Sequence, residues 1–444
     1  ALCANTDYGK RFLALVAANV VGSCGPTLQV RALMQSGALD KAANDAIEVH
    51  WKRWAEKADL CGRMTLARLL QVAVKSVARD GEALIRVVRN SSLPYGIQLQ
   101  LLEADRLDES LNMTLAGGGQ IRQGVELDAA GRPVAYYLLT AHPGENFAQS
   151  GRKHEKVLKR DLYHVFLPER AEQVRGYTWL HAVLVRAHML HGFEEAAVVA
   201  ARVGASKMGV WERDPEAASA ADTLADAGTS TDGNLQMSAE PGEFIEAPSG
   251  YKLNSWDPEY PHQNFESFLK ACLRALSAGL NVANHNLTGD MSGVNYSSAR
   301  IAELAEREVW VELQEWLIAS LLKPLFRDWL ASALVRGDVK FEVSGKSLPA
   351  ERLSKFADVA RFQGRRWNWV DPKNDAEASE LLIRTGLASR TSIAASQGRE
   401  FEDIIDELKQ ERELMVAAGL IEAAPAAEPK APAAEPADPT EEPA

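Results

Sequence analysis

The apolar side chains between Phe265 and Leu280 recur with the period of an α-helix. They are Phe265, Phe268, Leu269, Cys272, Leu273, Leu276 and Leu280. Residues spaced three and four apart share one face of a helix, so we predict an amphipathic helix that needs a partner surface. Residues 179–207 are predicted to form a second long helix, because they lack proline and their second half is rich in alanine. Small side chains let helices approach closely, which suits a tightly packed bundle or a ring of helices.

The two predicted helices are separated by a stretch of different character, residues 208–261. Prolines interrupt it at Pro215, Pro241, Pro248, Pro258 and Pro261. Short strand-like pieces at 208–211 and 243–246 flank a stretch rich in Ala, Asp, Thr, Ser and Gly. Two long helices joined by such an excursion predict a hairpin that can stand around a central axis.

Upstream of this hairpin, the apolar pattern changes from helical to strand-like near Asp80. Residues 1–80 are predicted to be helical, with a break at Gly25-Pro26. Residues 81–170 are predicted to be rich in strands, since apolar runs alternate with polar residues and turn residues separate them. The predicted strands are 83–89, 97–101, 124–127, 134–139 and 162–167, with a hairpin turn at 128–133. The whole pattern predicts an α+β fold.

A polar segment follows the second helix. Residues 283–298 contain two glycines, one Asp and one His, but no Lys or Arg. We predict an irregular loop there, followed by a helix from Ser298 to Val335. Pro324 is predicted to kink or split that helix, because proline has no backbone N–H to donate.

The last part of the chain is predicted to be mostly helical. Residues 340–343 are predicted to form one strand, and residues 349–424 return to helices. Residues 425–444 are rich in proline, alanine and glutamate, so we predict a disordered acidic tail.

The net charge of the chain bears on whether it binds nucleic acid. The formal net charge is −12, whereas a protein that grips DNA usually carries a basic excess. Either DNA is not a partner, or DNA is a partner that must not adhere. No apolar run reaches the roughly 18 residues of a membrane-spanning helix, so no membrane segment is expected. The start does not resemble a signal peptide, and we expect a chain that begins after processing or lacks an N-terminal segment.

The cysteines give no sign of a redox or metal motif. Cys3, Cys24, Cys61 and Cys272 lie far apart, and no Cys-x-x-Cys pair occurs. Free thiols in a reducing cytoplasm are therefore expected.

Four motifs hint at chemistry, and none is complete. Gly345-Lys346-Ser347 matches the end of a phosphate-binding loop, but Lys340 occupies the position where that motif requires glycine. His181, His188 and His191 share one predicted helix, where contacts between helices are a better interpretation than metal binding. The glycines at 117–119 predict a hairpin tip, and Trp367 and Trp369 a filled helix corner. No catalytic residues, metal site or cofactor are predicted.

Three stretches resemble the lambda-type family of phage portal proteins. Residues 162–207 contain a His-Val-Phe strand, a polar turn, an Arg-Gly pair and a long helix. Residues 265–300 contain an Ala-Gly-Leu helix end, a polar loop and a Tyr-Ser-Ser-Ala-Arg helix start. Residues 369–411 contain an Asp-Pro pair and an Ile-x-x-Gly-Leu pattern, and weaker similarity covers about residues 5–420.

This resemblance implies a portal fold and a division of the chain into regions. The implied regions are a wing at 1–178, a first stem helix at 179–207, a clip at 208–261, a second stem helix at 262–282, a tunnel loop at 283–298, a spine helix with a return strand to the wing at 299–348, a helical crown at 349–424 and the acidic tail at 425–444. The residues implied to face DNA are Asn284, His285, Asn286, Thr288, Asp290, Ser292 and Asn295. Those expected to support oligomerisation through the stem are Phe265, Phe268, Leu269, Leu273 and Leu276.

The resemblance also implies a function without catalysis. The expected protein is a dodecameric ring at the capsid vertex of a tailed phage or prophage, through which double-stranded DNA enters during packaging and leaves during ejection. Expected partners are the terminase large subunit, head-completion and neck proteins at the head–tail connection, and capsid and scaffold proteins. Assembly is expected in the host cytoplasm, with no membrane partner. The alternatives are a neck or adaptor ring without a packaging role, and a helicase or nuclease subunit, which the incomplete motifs disfavour.

Overall fold

The computed structural model describes residues 6–144, 153–205, 209–213, 251–255, 264–367, 372–397, 399 and 401–420. Contacts divide the chain into a larger unit, 1–365, and a smaller unit, 366–444. The larger unit combines helices with sheets, which confirms the predicted α+β class. In the described part of the smaller unit, the regular elements are helices.

The helices and strands have the following bounds. The helices of the larger unit are α1 (Asp7–Val16), α2 (Lys41–Ala55), α3 (Leu66–Asp80), α4 (Leu184–Ala205), α5 (Phe265–Gly279), α6 (Asn284–Thr288), α7 (Tyr296–Leu317), α8 (Lys323–Arg336) and α9 (Leu353–Ala357). The described helices of the smaller unit are α10 (Pro372–Arg384), α11 (Arg390–Ser396) and α12 (Phe401–Ala417). The strands are β1 (Thr27–Val30), β2 (Glu82–Arg89), β3 (Ile97–Leu102), β4 (Met113–Thr114), β5 (Gln120–Arg122), β6 (Val125–Leu127), β7 (Pro133–Leu139), β8 (His154–Leu158), β9 (Leu162–Phe166), β10 (Gly209–Arg213), β11 (Tyr251–Ser255) and β12 (Ala360–Gln363).

The strand-rich region forms two antiparallel sheets. One has the order β3-β2-β9, and the other is a meander with the order β4-β5-β6-β7-β8. The predicted hairpin between β6 and β7 is confirmed, and Asp128 holds its turn by accepting hydrogen bonds from the backbone N–H groups of Ala130 and Arg132. The glycines at 117–119 form the turn between β4 and β5, as predicted.

One apolar cluster spans both sheets. Its buried members are Leu84, Leu107, Val125, Leu127, Tyr136, Leu138, Val157 and Leu162. Strands β2 and β9 contribute from the first sheet, and β6, β7 and β8 from the second. Because the inward-facing side chains of both sheets meet here, the two sheets form one packed body.

A second core lies around an aromatic cluster in the larger unit. The ring of Trp51, on α2, lies 4.9 Å from Trp54 and 5.1 Å from Trp329, measured between ring centroids. Phe326 and Phe362 complete the cluster, so α2, α8 and β12 are joined by ring packing. Buried aromatic rings remove large apolar areas from water, which makes this cluster a main source of stability.

The first long helix begins later than predicted. Residues 179–183 form turns, and α4 starts at Leu184. The reason is local: Thr178 Oγ1 and Trp179 N both donate to the carbonyl oxygen of Ala78 at the end of α3. This attachment to α3 holds the backbone out of helical geometry before α4 begins.

The helix around Pro324 is divided into two α-helices, as predicted, but the chain stays helical between them. A π-helical turn at Ile318–Leu322 joins α7 to α8, and Pro324 lies in the first turn of α8. Proline is tolerated in a first helical turn because its missing N–H has no partner there in any case. The helix start was predicted at Ser298, but Asn295 is the N-cap, and Asn295 and Ser298 form a reciprocal capping box.

Two predictions for the region after α8 are wrong. Residues 340–343 are not a strand: Phe341 N donates to Lys346 O and Gly345 N to Phe341 O, which closes a tight turn around Gly345. Within 349–424, the segment Ala360–Gln363 is a strand rather than a helix, and it pairs with the equally unpredicted β1. Residues 349–365 therefore belong to the larger unit, and the smaller unit begins at Arg366.

Candidate functional site

The polar segment between α5 and α7 divides into a helical half and an open half. Residues Asn284–Thr288 form α6, so the prediction of an irregular loop is wrong for this half. Gly289 ends the helix with a φ of 75°, a left-handed conformation that glycine adopts without strain. From Asp290 to Asn295 the chain has no regular structure, as predicted.

The helical half is fastened to α7 by Glu306. This side chain is buried, and its Oε2 accepts hydrogen bonds from Ala283 N at 2.7 Å and from Asn286 Nδ2 at 2.9 Å. Its Oε1 accepts from Trp310 Nε1 at 2.9 Å, one turn further along α7. Both carboxylate oxygens are therefore occupied by donors of the same subunit.

Other contacts hold the same half from different sides. Arg11 Nε, on α1, donates to Asn286 O at 3.0 Å. Ser277 Oγ, on α5, lies 3.3 Å from Asn284 Oδ1 and donates to it. The nearly buried ring of His285 points toward α7, where its Nε2 lies 4.0 Å from Glu303 Oε1. Asn284, His285 and Asn286, three of the seven residues expected to face DNA, thus contact other elements of their own subunit.

The open half presents a different surface. Met291, Ser292 and Asn295 are exposed, and Met291 is 60% accessible to solvent. Asp290 accepts a hydrogen bond from Ser292 N at 2.8 Å, and the hydrogen bonds of the Ser292 side chain and backbone lower the pKa of Asp290. Thr288 Oγ1 accepts from Asp290 N at 3.1 Å, which connects the two halves.

A lysine from α5 reaches this open half, although the segment itself contains no Lys or Arg. Lys270 Nζ donates to Ser292 Oγ at 3.1 Å and lies 3.9 Å from Asp290. The same ammonium pairs with Glu266 at 2.7 Å, and Arg274 interacts electrostatically with Lys270 and Asp290. The two basic and two acidic side chains sum to zero formal charge. The predicted lack of positive charge is thus reached by pairing as well as by composition.

The predicted stem stripe is partly buried within the subunit. Leu273 and Leu276 are buried, whereas Phe268 is 52% exposed. Phe193 on α4 stacks on Phe265 with centroids 5.6 Å apart and meets Phe268 edge-on at 5.2 Å. These ring contacts show that α4 and α5 pack against each other.

Two contributors to this site went unnoticed in the sequence. Phe193 interrupts a run of polar and small residues and gives little periodic signal on its own. Glu306 belongs to no recognisable motif in the sequence. Its spacing of four from Trp310 was a usable signal, since residues four apart share a helix face.

The motifs that hint at chemistry belong to different elements of the chain. The Gly345-Lys346 pair belongs to the tight turn after α8, and His188 and His191 lie on exposed positions of α4. Among the residues with described placement, no three His, Cys, Asp or Glu side chains are grouped as a metal site would require. None of the described helices is both long and apolar enough to cross a membrane. Trp369 and most of 208–261 lie outside the described residues.

Some solved structures show a distant likeness. One is from the virion of a native gene transfer agent particle, with a TM-score of 0.43 and 13% identity over 89% of this chain and 91% of that one. Another is an HK97 family phage portal protein from Corynebacterium diphtheriae, with a TM-score of 0.36 and 11% identity over 85% of this chain and 96% of that one.

Comparison of sequences identifies the family. The chain is 30% identical to the probable portal protein of Halomonas phage phiHAP-1 over 92% of this chain and 77% of that protein. It is 22% identical to portal protein B of Escherichia phage lambda over 87% of this chain and 76% of that protein. The family model for lambda-family phage portal proteins matches residues 1–314. This chain therefore belongs to the lambda family of phage portal proteins, structural components of a phage or phage-like particle that are not enzymes.

Proposed function

We propose that this chain forms a dodecameric ring at the portal vertex and that double-stranded DNA passes through the ring during packaging and ejection. Family membership supports the vertex role. The hairpin of α4 and α5, with the open half of the polar segment beside it, supports a channel built from repeated copies.

The observation that carries the DNA-channel proposal is the charge balance at the open half. Ser292 and Asn295 offer hydrogen-bonding groups, and the nearby Lys270 is paired with Glu266. Phosphate binding by free Lys or Arg releases counterions and gives tight, salt-dependent attachment. A surface whose cations are already paired allows the DNA backbone to slide past. The net charge of −12 acts in the same direction.

The structure sharpens which of the seven expected residues are proposed to meet DNA. We assign direct contact to Asp290, Ser292 and Asn295, which lie in the open half. Asn284, His285, Asn286 and Thr288 are proposed to support that half, because their side chains contact α5 or α7 or close α6 on itself.

The remaining regions are proposed to dock partners. We propose that 208–261 is a clip that contacts the terminase large subunit first and a neck protein later, and that the wing meets capsid and scaffold proteins. Within the clip, only the antiparallel pair β10–β11 lies in the described residues. Assembly of the ring in the host cytoplasm before DNA arrives is part of the same proposal.

A salt-dependent packaging assay tests the channel proposal. Ser292→Lys should slow DNA translocation, because each copy of the ring adds an unpaired cation to the open half, and the defect should ease as salt rises. Ser344→Lys, at an exposed turn on the larger unit, is the matched control and should package at the wild-type rate. Normal packaging by Ser292→Lys in low salt would show that the open half does not line the DNA path.

A further inference from the structure

We propose that Glu306 is the positioning residue for the DNA-facing segment: it fixes α6 against the spine helix and so sets where the open half stands in the channel. This inference rests on the proposed passage of DNA along that segment. It concerns an acidic side chain on α7 that itself lies out of reach of DNA, since it is buried.

The first step is the unusual occupancy of a buried carboxylate. Glu306 is only 7% exposed, and its three donors, Ala283 N, Asn286 Nδ2 and Trp310 Nε1, are all neutral. Among the described residues, no Lys, Arg or His lies within ion-pair distance of Glu306. A buried carboxyl group needs hydrogen bonds to replace the water that it has lost, so Glu306 and the polar segment hold each other in place.

The second step concerns how α6 begins. Its N-cap residue is Ala283, which has no side-chain oxygen to accept a backbone N–H. Glu306, on α7, instead accepts the N–H of Ala283 itself at 2.7 Å, the bond that a glutamate in the first turn makes in a capping box. The start of α6 is therefore fixed by a residue that lies 23 positions later in the chain than Ala283, and not by an N-cap side chain of its own.

The third step separates what is held from what is free. Asn286 has two partners: its side-chain Nδ2 donates to Glu306, and its backbone carbonyl oxygen accepts from Arg11. Beyond α6, Gly289 and Gly293 have φ values of 75° and 73°, and a Cβ added to either would meet nothing within 4 Å. The open half spans only residues 290–295 and follows directly after α6. Its position therefore depends on where α6 is held.

The consequence is a direct one for DNA passage. If Glu306 releases α6, this helix loses its attachment to α7 at both Ala283 and Asn286. Arg11 and Ser277 then hold α6 only at single points, and the open half keeps its contact with Lys270. In a ring, this loss occurs in every copy and changes the friction that DNA meets. Glu306 would thus act on DNA movement without contacting DNA.

The test measures the anchor and DNA movement separately in the assembled full-length protein. Hydrogen–deuterium exchange in rings without DNA reports directly on the Ala283 amide. Glu306→Leu should speed exchange at that amide by about tenfold to a hundredfold, the loss expected for a hydrogen bond to a charged group. Glu306→Gln, which keeps an acceptor oxygen, should show a smaller increase. Glu308→Gln, an exposed position on the same helix, is the matched control and should match wild type.

Packaging by the same rings then decides the role. Altered translocation by Glu306→Leu, with partial rescue by Glu306→Gln, supports the inference. Wild-type exchange at Ala283 in Glu306→Leu overturns it. Faster exchange with normal packaging also overturns it while the channel proposal stands, provided that Ser292→Lys still stalls DNA. If neither variant affects DNA, both proposals fail. Should Glu306→Leu not assemble, Asn286→Ala removes one donor, leaves the carboxylate satisfied by two others, and is expected to act in the same direction.

Discussion

Helices α4 and α8 are both rich in apolar residues, yet the side chains of α8 are mostly buried and many of those on α4 are exposed. On α8, Leu325, Phe326, Trp329 and Leu330 are buried almost completely inside the subunit. On α4, Met189 is 69% exposed and Val198 is 60% exposed. Nine residues are about two and a half helical turns, so these two side chains lie on opposite sides of α4, and apolar residues on both sides of a helix call for partners on both sides. The comparison teaches that α8 is completed by its own chain, whereas we expect α4 to be completed by neighbouring copies in the proposed ring.

The largest expected effect on the stability of the subunit is at α8, the helix that is buried by its own chain. Trp329→Ala should lower the free energy of unfolding by about 3–5 kcal/mol, because it leaves a cavity where the ring contacts Trp51 and Phe326. Chemical denaturation followed by tryptophan fluorescence and circular dichroism measures this loss. Met189→Ala on α4 is the comparison variant, and a loss equal to that of Trp329→Ala would remove the distinction between the two helices.

The next effect is pH-dependent and lies in the sheets. Burial alone would raise the pKa of Glu82, but hydrogen bonds and charge interactions with His164 and Arg175 outweigh burial and lower it to about 2. A depressed carboxyl pKa contributes stability at pH values above its unfolded value, and that contribution is lost as pH falls through the folded value. Stability should therefore fall between about pH 4.5 and pH 2 by roughly 3 kcal/mol.

Glu82→Gln isolates this contribution. The variant should be less stable than wild type at neutral pH, because it leaves His164 and Arg175 beside a neutral group, and its acid sensitivity should be weaker. Denaturant midpoints measured from pH 7 to pH 2 give both quantities. A variant with the same pH profile as wild type would show that the Glu82 interactions do not stabilise the sheets.

A smaller effect on folding, with a large effect on assembly, is expected on α4. Val198→Asp should leave the circular dichroism and melting of the subunit nearly unchanged, because Val198 is exposed in the single chain. It should shift rings toward smaller species in light scattering, since assembly would bury an unpaired charge. Val335→Asp, on a 79% exposed residue of α8, is the matched control and should leave rings intact. Intact rings in Val198→Asp would show that α4 is not an interface.

The smallest effect is expected at the C-terminus. Removing 425–444, which lies outside the described residues, should change neither ring formation nor melting temperature, because a chain rich in proline, alanine and glutamate buries little apolar area. Differential scanning calorimetry checks this, and a clear drop in melting temperature would contradict it.

Local pattern and long-range pairing differed in how well they could be predicted. The hairpin β6–β7 could be predicted from alternation and turn residues, and helix α5 from the helical spacing of its apolar residues. Both signals lie within about 15 residues of sequence. Strands β1 and β12 are four residues each and stabilise one another across the chain, so neither carries enough local signal. The turn at Lys340 has a strand-like composition, and only its hydrogen bonds show that it folds back on itself.

The candidate site follows the same division. Its position between two long helices, and its lack of free positive charge, could be predicted from composition and order. The anchoring of Asn286 by Glu306 and the approach of Lys270 to Ser292 depend on side chains brought together by packing. Spacing in the sequence contains no information about those distances.

A three-dimensional reconstruction of the purified protein at a resolution that separates helices tests the central claim most directly. The account predicts a closed ring in which residues 290–295 line the central channel and the exposed apolar side chains of α4, including Met189 and Val198, are covered by the adjacent copy. A monomer, or a ring in which 290–295 face the outside and α4 stays open to solvent, would contradict it.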